Sequence, residues 1–315
     1  MMLRTFVLAN IIAANLTLVE SKRAVQHICF RLKISCFLFL FLQLAIIAQG
    51  QLLSHPQGRD FQPSEKFDAD FIKANRIEKL TITDELKPDG ERIKKTGRRL
   101  IYRFNLNGQV SSIQEITKSK DTLLNIYEYV GDRLDCEIKN DAAGLFSYCY
   151  AYQNEKPVEV KYARLGKKTN QADRTEISTE TFTHKTYENQ LHSTQHNTSG
   201  RPYKKEIRYY DENGYYLKYV SDFVMTSRRE EENYRYNAHG HLSKKDVKRP
   251  HEEYSQHYEY DEVGNLTAEE MFKNGTKVER LEYVYREEDM LLKAELTRDE
   301  LKQAIRIRSY TYSFR

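Results

Sequence analysis

The stretch that decides the fold is YEYDEVGNL at residues 258–266, where two tyrosines are followed by Asp261, a short turn with Gly264 and an aliphatic residue. Alternate residues of a β-strand share a face, so Tyr258 and Tyr260 project to the same side of a sheet. An Asp side chain bonds to nearby backbone groups and glycine accepts a positive φ, so the chain can reverse after Tyr260. The stretch therefore predicts one β-hairpin.

Copies of this stretch recur about every 25 residues along the chain. Strong copies read YRFNLNGQV at 102–110, RYYDENGYY at 208–216 and YRYNAHGHL at 234–242, and weaker ones start at Tyr127, Tyr150, Phe182, Tyr283 and Tyr310. The predicted repeat aromatics are Tyr102, Phe104, Tyr127, Tyr129, Tyr150, Tyr152, Tyr210, Tyr234, Tyr236, Tyr258, Tyr260, Tyr283 and Tyr285. The predicted turn glycines are Gly108, Gly131, Gly214, Gly240, Gly264 and Gly275. Stacked copies would place the rings in ladders on one face of a sheet.

A second turn must lie between successive motifs so that the chain returns to start the next one. Asn274-Gly275, between Phe272 and Val278, is the strongest such signal. We therefore predict an all-β fold, an antiparallel meander of tandem β-hairpin repeats that forms an extended, twisted or curled sheet. The leucines of residues 287–302 could instead mark an amphipathic helix, but the flanking aromatic pairs favour strands there.

The composition agrees with a strand protein that has one wet face. The 315 residues include 23 Tyr and 14 Phe but no Trp, and Tyr at this density is typical of such strands. Charges are nearly balanced, with 50 Lys plus Arg against 46 Asp plus Glu, and the excess of 4 is spread along the chain. The basic runs at 94–99 and 244–249 are interpreted as solvated strand ends, so no nucleic-acid partner is predicted.

Residues 31–50 have the three parts of a secretory signal peptide, namely the basic Arg31 and Lys33, an apolar run at 34–48, and small residues up to Gly50. The run is shorter than the roughly 20 residues that cross a bilayer comfortably. We predict cleavage after Gly50, and the alternative is an uncleaved anchor, which would be the only membrane contact. The expected location is the periplasm, the cell surface or the medium.

The remaining domain boundaries follow from the signal and the repeats. Residues 1–30 form an upstream extension of doubtful status, because they add a second apolar stretch ahead of the signal. A start codon assigned too early would explain them, and a genuine N-terminal membrane segment is the alternative. We then expect a linker at 51–74 and the repeat domain at 75–315.

Cys136 and Cys149 are the two cysteines that follow the predicted signal peptide. They lie equally far from the ends of a turn predicted at 141–144, so they would face each other across one antiparallel hairpin, near the separation that a disulfide tolerates. An oxidising compartment, inferred from the signal, would let the bond persist. We predict a disulfide, with two free thiols as the alternative, and no zinc site because no second ligand pair lies nearby.

The motif Tyr-x-Tyr-Asp-x-x-Gly-x-Leu, as at 258–266, resembles the YD repeats of bacterial Rhs-type proteins, and the match runs from Tyr102 to Tyr312. In that family the repeats form a long curling antiparallel sheet, which in large members closes into a shell around a toxic domain. Some members have been linked to carbohydrate binding. This chain has far fewer copies, several without the glycine, and no domain to enclose after the final copy. The resemblance therefore implies a short exported member without a complete shell.

We predict no catalytic residue, no metal site and no cofactor. His184, His192 and His196 are close in sequence, but they lie in a polar stretch around the weakest copy, which disfavours a metal site. Adjacent carboxylates such as Glu269 and Glu270 point to opposite faces of a strand, so they cannot act together on one bond.

The expected function is that of a non-enzymatic scaffold or interaction surface in the cell envelope or outside the cell, with a protein or a glycan as its unidentified partner. A carbohydrate-binding module is the first alternative, since exposed tyrosines can stack on sugar rings, and an enzyme of unrecognised type is the second. Tyr215, Tyr216 and Tyr219 form a crowded set and are chosen as the contact surface. Capture of a partner strand by a free sheet edge is a further mode of binding.

Overall fold

The computed structural model describes residues 52–53, 66–119, 121–141, 143–166, 174–226, 228–300 and 304–315. The predicted upstream extension 1–30 and signal peptide 31–50 lie outside the described residues. The described part contains the helix α1 (Ala69–Ala74) and the strands β1 (Ile77–Pro88), β2 (Lys94–Phe104), β3 (Val110–Ile116), β4 (Thr122–Val130), β5 (Arg133–Asp141), β6 (Gly144–Gln153), β7 (Lys156–Leu165), β8 (Arg174–Tyr187), β9 (Gln190–His196), β10 (Pro202–Tyr210), β11 (Tyr216–Phe223), β12 (Arg229–Tyr236), β13 (Leu242–Arg249), β14 (Glu252–Tyr260), β15 (Leu266–Lys273), β16 (Thr276–Tyr285), β17 (Leu292–Asp299) and β18 (Ala304–Phe314).

The strands form one antiparallel meander, as the repeat predicts, because each strand pairs with the next one along the chain. The strand that begins the meander also pairs with the strand that ends it, from Ile77 opposite Phe314 to Pro88 opposite Ala304. The 18-stranded sheet therefore closes into a barrel. The prediction of an extended, twisted or curled sheet is wrong in this respect, because the sheet is a closed ring. Closure leaves no free edge among the described strands, which removes the basis for edge-strand capture.

A β-bulge on the strand that faces the second aromatic of the motif provides curvature for closure. The register shifts between Arg103 and Phe104, and likewise between Arg235 and Tyr236 and between Glu259 and Tyr260. The extra residue on the facing strand is Ser111, Ser243 or Thr267, whose hydroxyl donates to a backbone carbonyl across the pair at 3.0–3.1 Å. A bulge bends its strand and increases the local right-handed twist, so its recurrence curls the sheet onto itself.

The apolar core lies inside the barrel near the end that holds α1, which we call the helix end. The core contains Leu52, Leu53, Phe67, Phe71 and Ile72, packed against Leu80, Ile82, Tyr102, Phe104, Val110, Leu266, Leu291, Leu292 and Tyr310 of the strands and turns. The Phe67 ring meets Tyr102 and Phe104 edge-on, with ring centroids 4.9 and 5.8 Å apart. We call the face that carries these rings the inner face and the opposite one the outer face. The described part of the segment expected to be a linker, 51–74, thus contributes directly to the core.

Residues 287–300 extend the meander and do not form a helix. Met290, with φ of 55°, reverses the chain between β16 and β17. The strand Leu292–Asp299 then pairs with β16 on one side and β18 on the other. The preference for strands in this region is confirmed for its described residues.

Candidate functional site

The turn of each strong motif copy is held by its aspartate or asparagine. The Asp261 carboxylate accepts the backbone N–H groups of Val263 at 3.0 Å and Asn265 at 2.8 Å. The same pair of bonds forms at Asn105, Asp211 and Asn237. A glycine follows at positive φ, 84° at Gly108 and 93° at Gly264. Gly131, Gly214 and Gly240 lie in the corresponding turns at the helix end, also at positive φ.

The predicted turn at Asn274-Gly275 lies at the opposite end, between β15 and β16. Asn274 has φ of 49° and Gly275 has φ of 80°, both positive as a two-residue type I′ hairpin turn requires. The Asn274 side chain also accepts, at 2.9 Å, the N–H of Glu253 at the start of β14, just after the preceding turn. The turn is therefore tied to its neighbour as well as to its own strands.

The second aromatic of a motif ties its repeat to the preceding one. The Tyr260 hydroxyl donates to the carbonyl of Leu242 at 2.7 Å. The same bond joins Tyr152 to Leu134, Tyr236 to Tyr216, Tyr285 to Leu266 and Tyr312 to Leu292, at 2.7–2.8 Å. Burial raises the pKa of Tyr236 to about 12, so this hydroxyl stays a donor at neutral pH. These tyrosines hold adjacent repeats together.

Replacing Tyr260 by phenylalanine is expected to lower the free energy of unfolding by about 1 kcal/mol, because the Leu242 carbonyl loses its donor. Urea denaturation of the purified protein measures this change. Tyr209→Phe, on the outer face, is the matched control and should be close to neutral. Equal effects of the two substitutions would show that the hydroxyl bond between repeats does not stabilise the barrel.

A row of carboxylates lies deeper on the inner face. Each accepts a hydrogen bond from a tyrosine of the same wall: Glu206 from Tyr219, Glu232 from Tyr234, Glu269 from Tyr283 and Glu295 from Tyr310. Sequence reasoning missed this row. Glu269 and Glu295 stand three residues after Leu266 and Leu292, the aliphatic residues that follow the motif turn, and this repeated position was the available signal.

Glu295 is the centre of an ionic network on the inner face, with only 3% of its surface exposed. Its carboxylate accepts Arg308 at 3.1 Å and the Tyr310 hydroxyl at 2.5 Å. Lys66, from the segment inside the barrel, places its ammonium nitrogen 3.9 Å from the same carboxylate. Burial lowers the pKa of Lys66, and the charge of Glu295 opposes that effect. The network therefore connects the inner segment to strands β17 and β18.

Glu269 lies half-buried on the inner face of β15, where the charge of Lys66 favours its ionised form and the charge of Glu295 opposes it. Burial raises its pKa above the usual glutamate value of 4.5, although the Tyr283 hydroxyl, 2.7 Å away, opposes the shift. The folded state thus holds this proton more tightly than the unfolded state. The protonated Glu269 carboxyl therefore contributes stability that is fully present below pH 4.5. This contribution is lost as the pH rises through the raised pKa of the folded state.

Replacing Glu269 by glutamine is therefore expected to stabilise the protein near neutral pH and to have little effect below pH 4.5. The amide oxygen can still accept the Tyr283 hydroxyl, while the buried charge is removed. Urea denaturation at both pH values measures the difference, and Glu262→Gln in an exposed turn is the control. A destabilised Glu269→Gln variant at neutral pH would contradict this assignment of the buried charge.

The three tyrosines predicted as a contact surface are all engaged inside the barrel or between repeats. Tyr216 is buried in a cluster with Tyr234 and Leu242. Tyr219 is half-buried and donates to Glu206 at 2.8 Å. Tyr215 packs edge-on against the ring of Tyr236, with centroids 4.9 Å apart. Their crowding in the sequence reflects packing between repeats at the helix end.

The outer face carries rows of ion pairs. Arg280 contacts Glu259 at 3.0 Å, Glu270 at 2.7 Å and Glu282 at 3.0 Å, and so links three neighbouring strands. In the basic run 244–249, Lys244 pairs with Asp246 at 3.1 Å on this face. Pairs of this kind are typical of a surface in contact with water. Among the described residues, no helix is long and apolar enough to cross a bilayer.

A groove of about 400 Å³ is lined by Asn233, Asp246, Val247, Lys248, Glu253, Tyr254, Ser255 and Gly275. Ser255 donates its hydroxyl proton to Asp246 at 2.7 Å, and His257 Nε2 lies 3.1 Å from the same hydroxyl oxygen. Because the proton of Ser255 is directed to the carboxylate, His257 makes this contact as an N–H donor and not as a base. The trio therefore fixes a polar surface and does not have the arrangement of an activated nucleophile.

The three histidines considered for a metal site are spread over two strands with separate partners. His184 on β8 contacts the Ser193 hydroxyl at 2.8 Å and the Pro157 carbonyl at 2.7 Å. His192 on β9 contacts the Gln190 side chain at 2.9 Å. In the described ranges no group of three or more His, Cys, Asp or Glu side chains is arranged to hold a metal ion.

The predicted disulfide between Cys136 and Cys149 is confirmed. The two residues are direct register partners on β5 and β6, with their Cα atoms 4.1 Å apart. The hairpin register inferred from the turn at 141–144 therefore holds. A disulfide is typical of proteins that fold in an oxidising compartment, which is consistent with export.

Replacing Cys136 and Cys149 together by serine is expected to cost about 3 kcal/mol of stability, because the bond closes a loop with a sequence separation of 13 residues. Urea denaturation of the double variant and of the oxidised protein measures the loss, and the reduced wild-type protein should behave like the double variant. A loss below about 1 kcal/mol would mean that the hairpin is held by its strand pairing alone.

No protein-family model matches this chain, and no curated protein matches it. Among solved structures, a porin-like protein from Bacteroides uniformis covers 76% of this chain and 97% of its own, at 10% identity and a TM-score of 0.36. A porin-like protein from Bacteroides vulgatus covers 75% and 98%, at 10% identity and a TM-score of 0.34. The Tc holotoxin pore of Photorhabdus luminescens matches 65% of this chain and 14% of its own, at 11% identity and a TM-score of 0.21. The architecture described above therefore stands on the strand pairing of this chain alone.

Proposed function

We propose that this chain is a non-enzymatic exported protein whose closed barrel is a scaffold, with the charged outer face as its interaction surface. The observation that carries the proposal is the use of the motif tyrosines. Their hydroxyls bond to neighbouring repeats and to inner carboxylates, as Tyr260 and Tyr283 do. The motif tyrosines, the most regular feature of the sequence, thus build the barrel. The outer face is the surface that remains available to a partner.

The partner class that fits the outer face is a protein of mixed surface charge in the envelope or outside the cell. Arg280 and its three carboxylate partners present both signs of charge within one patch. Such patches favour partners with complementary charge and make association sensitive to salt. We also propose, from the motif, that the chain is a short member of the YD-repeat family.

A photo-crosslinking experiment in the producing cells tests the scaffold. A photoreactive residue at Glu282 on the outer face should give a discrete crosslinked product, and the Arg280→Glu variant should lose it. The control places the residue at Glu269 on the inner face, where no product is expected. Products at Glu269, or none at Glu282 and its outer neighbours, would contradict the proposal.

Carbohydrate binding is the second candidate function, and the groove beside Asp246 favours it. The groove offers a carboxylate, an amide and a hydroxyl within one small volume of about 400 Å³. Groups of these types can bond to adjacent sugar hydroxyls. A glycan array with the mature protein tests this candidate: binding should fall in Asp246→Asn and persist in Glu262→Gln. If Asp246→Asn still binds every glycan that the unmodified protein binds, the groove is not the carbohydrate-binding site.

A further inference from the structure

The disulfide lies in a buried patch on the outer face of β5–β7. Cys136 is 4% exposed, and Ile138, Ser147, Ala163 and Leu165 beside it are similarly buried. Cys149, its partner, is only half-buried. The two sulfurs therefore differ in access, and a thiol in solution reaches Cys149 more easily than Cys136.

Arg174 reaches this patch from the start of β8. Its Nη2 atom lies 3.8 Å from the Cys136 sulfur, and its Nε atom is buried without a hydrogen-bond partner. A guanidinium group without a full set of acceptors is costly to hold beside a neutral disulfide. A thiolate on Cys136 would be its natural counter-ion, because a nearby cation stabilises the charged form of a thiol.

We propose that Cys136–Cys149 is a thiol–disulfide exchange site, in which a small thiolate bonds to Cys149 and Cys136 leaves as a thiolate stabilised by Arg174. The bond between Cys136 and Cys149 breaks as the bond between Cys149 and the incoming sulfur forms. The electron pair of the broken bond stays on Cys136. A second small thiolate then attacks the sulfur that the first small thiol contributed to the mixed disulfide with Cys149. This step releases a disulfide-linked dimer of the small thiol and leaves both cysteines reduced.

Other charged groups near the disulfide act on the same step. The Asp135 carboxylate lies 3.9 Å from the Cys136 sulfur and opposes the negative charge that develops there. Glu128 is the register partner of Cys136 on β4, and Lys161 is the register partner of Cys149 on β7. Lys161 pairs with Glu159 at 3.4 Å. Arg174 is thus the cation placed at the leaving sulfur.

Glutathione is the probe for the test. The second-order rate of reduction of the disulfide is measured on the purified protein at fixed pH, by acid quenching and thiol counting. Arg174→Gln should lower this rate roughly threefold to thirtyfold, since a higher thiol pKa makes a slower leaving group. Asp135→Asn should raise the rate. Arg164→Gln, on the inner face of the same strand pair, is the matched control and should leave it unchanged.

Two further measurements separate the proposal from a folding defect. Mass spectrometry of the trapped intermediate should find glutathione on Cys149. The pKa of the Cys136 thiol can be measured from thiolate absorbance in the Cys149→Ser variant. It should be lower there than in the double variant that carries both Cys149→Ser and Arg174→Gln. Glutathione on Cys136, an unchanged rate in a folded Arg174→Gln variant, or equal thiol pKa values would each overturn the assignment.

Discussion

Replacing Gly108 by alanine is expected to destabilise the barrel by about 2–4 kcal/mol. A Cβ atom at this position would lie 1.9 Å from the carbonyl oxygen of Ala69 and 3.1 Å from the backbone nitrogen of Lys73. The β2–β3 turn therefore packs directly on the backbone of α1. The added methyl group must push the helix away, and Phe71 and Ile72 would lose part of their burial in the core.

Gly214 provides a matched control for this substitution. It occupies the same place in its own turn with the same φ of 84°, and a Cβ atom there would meet nothing within 4 Å. Gly214→Ala should therefore cost only the conformational strain of a positive φ, about 1 kcal/mol. Urea denaturation of both variants measures the difference. Equal losses would show that α1 does not pack beneath the Gly108 turn in solution.

Replacing Glu295 by glutamine is expected to cost about 3 kcal/mol, the second large effect. The neutral amide cannot balance the positive charges of Arg308 and Lys66. Its NH₂ group would also face donor groups, at positions where a carboxylate oxygen accepts a hydrogen bond. The loss should be smaller than for a fully enclosed pair, since side-chain exposure is 24% at Arg308 and 39% at Lys66.

The control for Glu295 is Glu259→Gln on the outer face. Glu259 pairs with Arg280 at 3.0 Å, but half of its side chain is exposed, so its removal should cost less than about 1 kcal/mol. Thermal or urea unfolding separates the two variants. A Glu295→Gln protein as stable as Glu259→Gln would mean that the inner network does not hold the Lys66 segment to the wall.

Several features of the site were predictable from local sequence, because local rules determine them. The turn at 261–264 follows from an aspartate that accepts backbone N–H groups and a glycine at positive φ. The Cys136–Cys149 pair follows from hairpin register alone. The inner carboxylates were missed, because a glutamate on a strand is usually solvated and only the closed wall buries Glu295. Arg174 was also missed, since 38 residues separate it from the sulfur it approaches.

Local sequence predicted the strands, the motif turns and the register of the hairpin that holds Cys136 and Cys149, since these depend on residues close together along the chain. The tertiary structure decided that β1 pairs with β18, that the segment 66–74 enters the barrel, and that the tyrosines face inward. Ring closure depends on the total twist and bulge curvature of all eighteen described strands. The sequence of one repeat determines only its own part of that total. Burial depends in turn on closure, so the environments of Glu269, Glu295 and Lys66 exist only once the ring is complete.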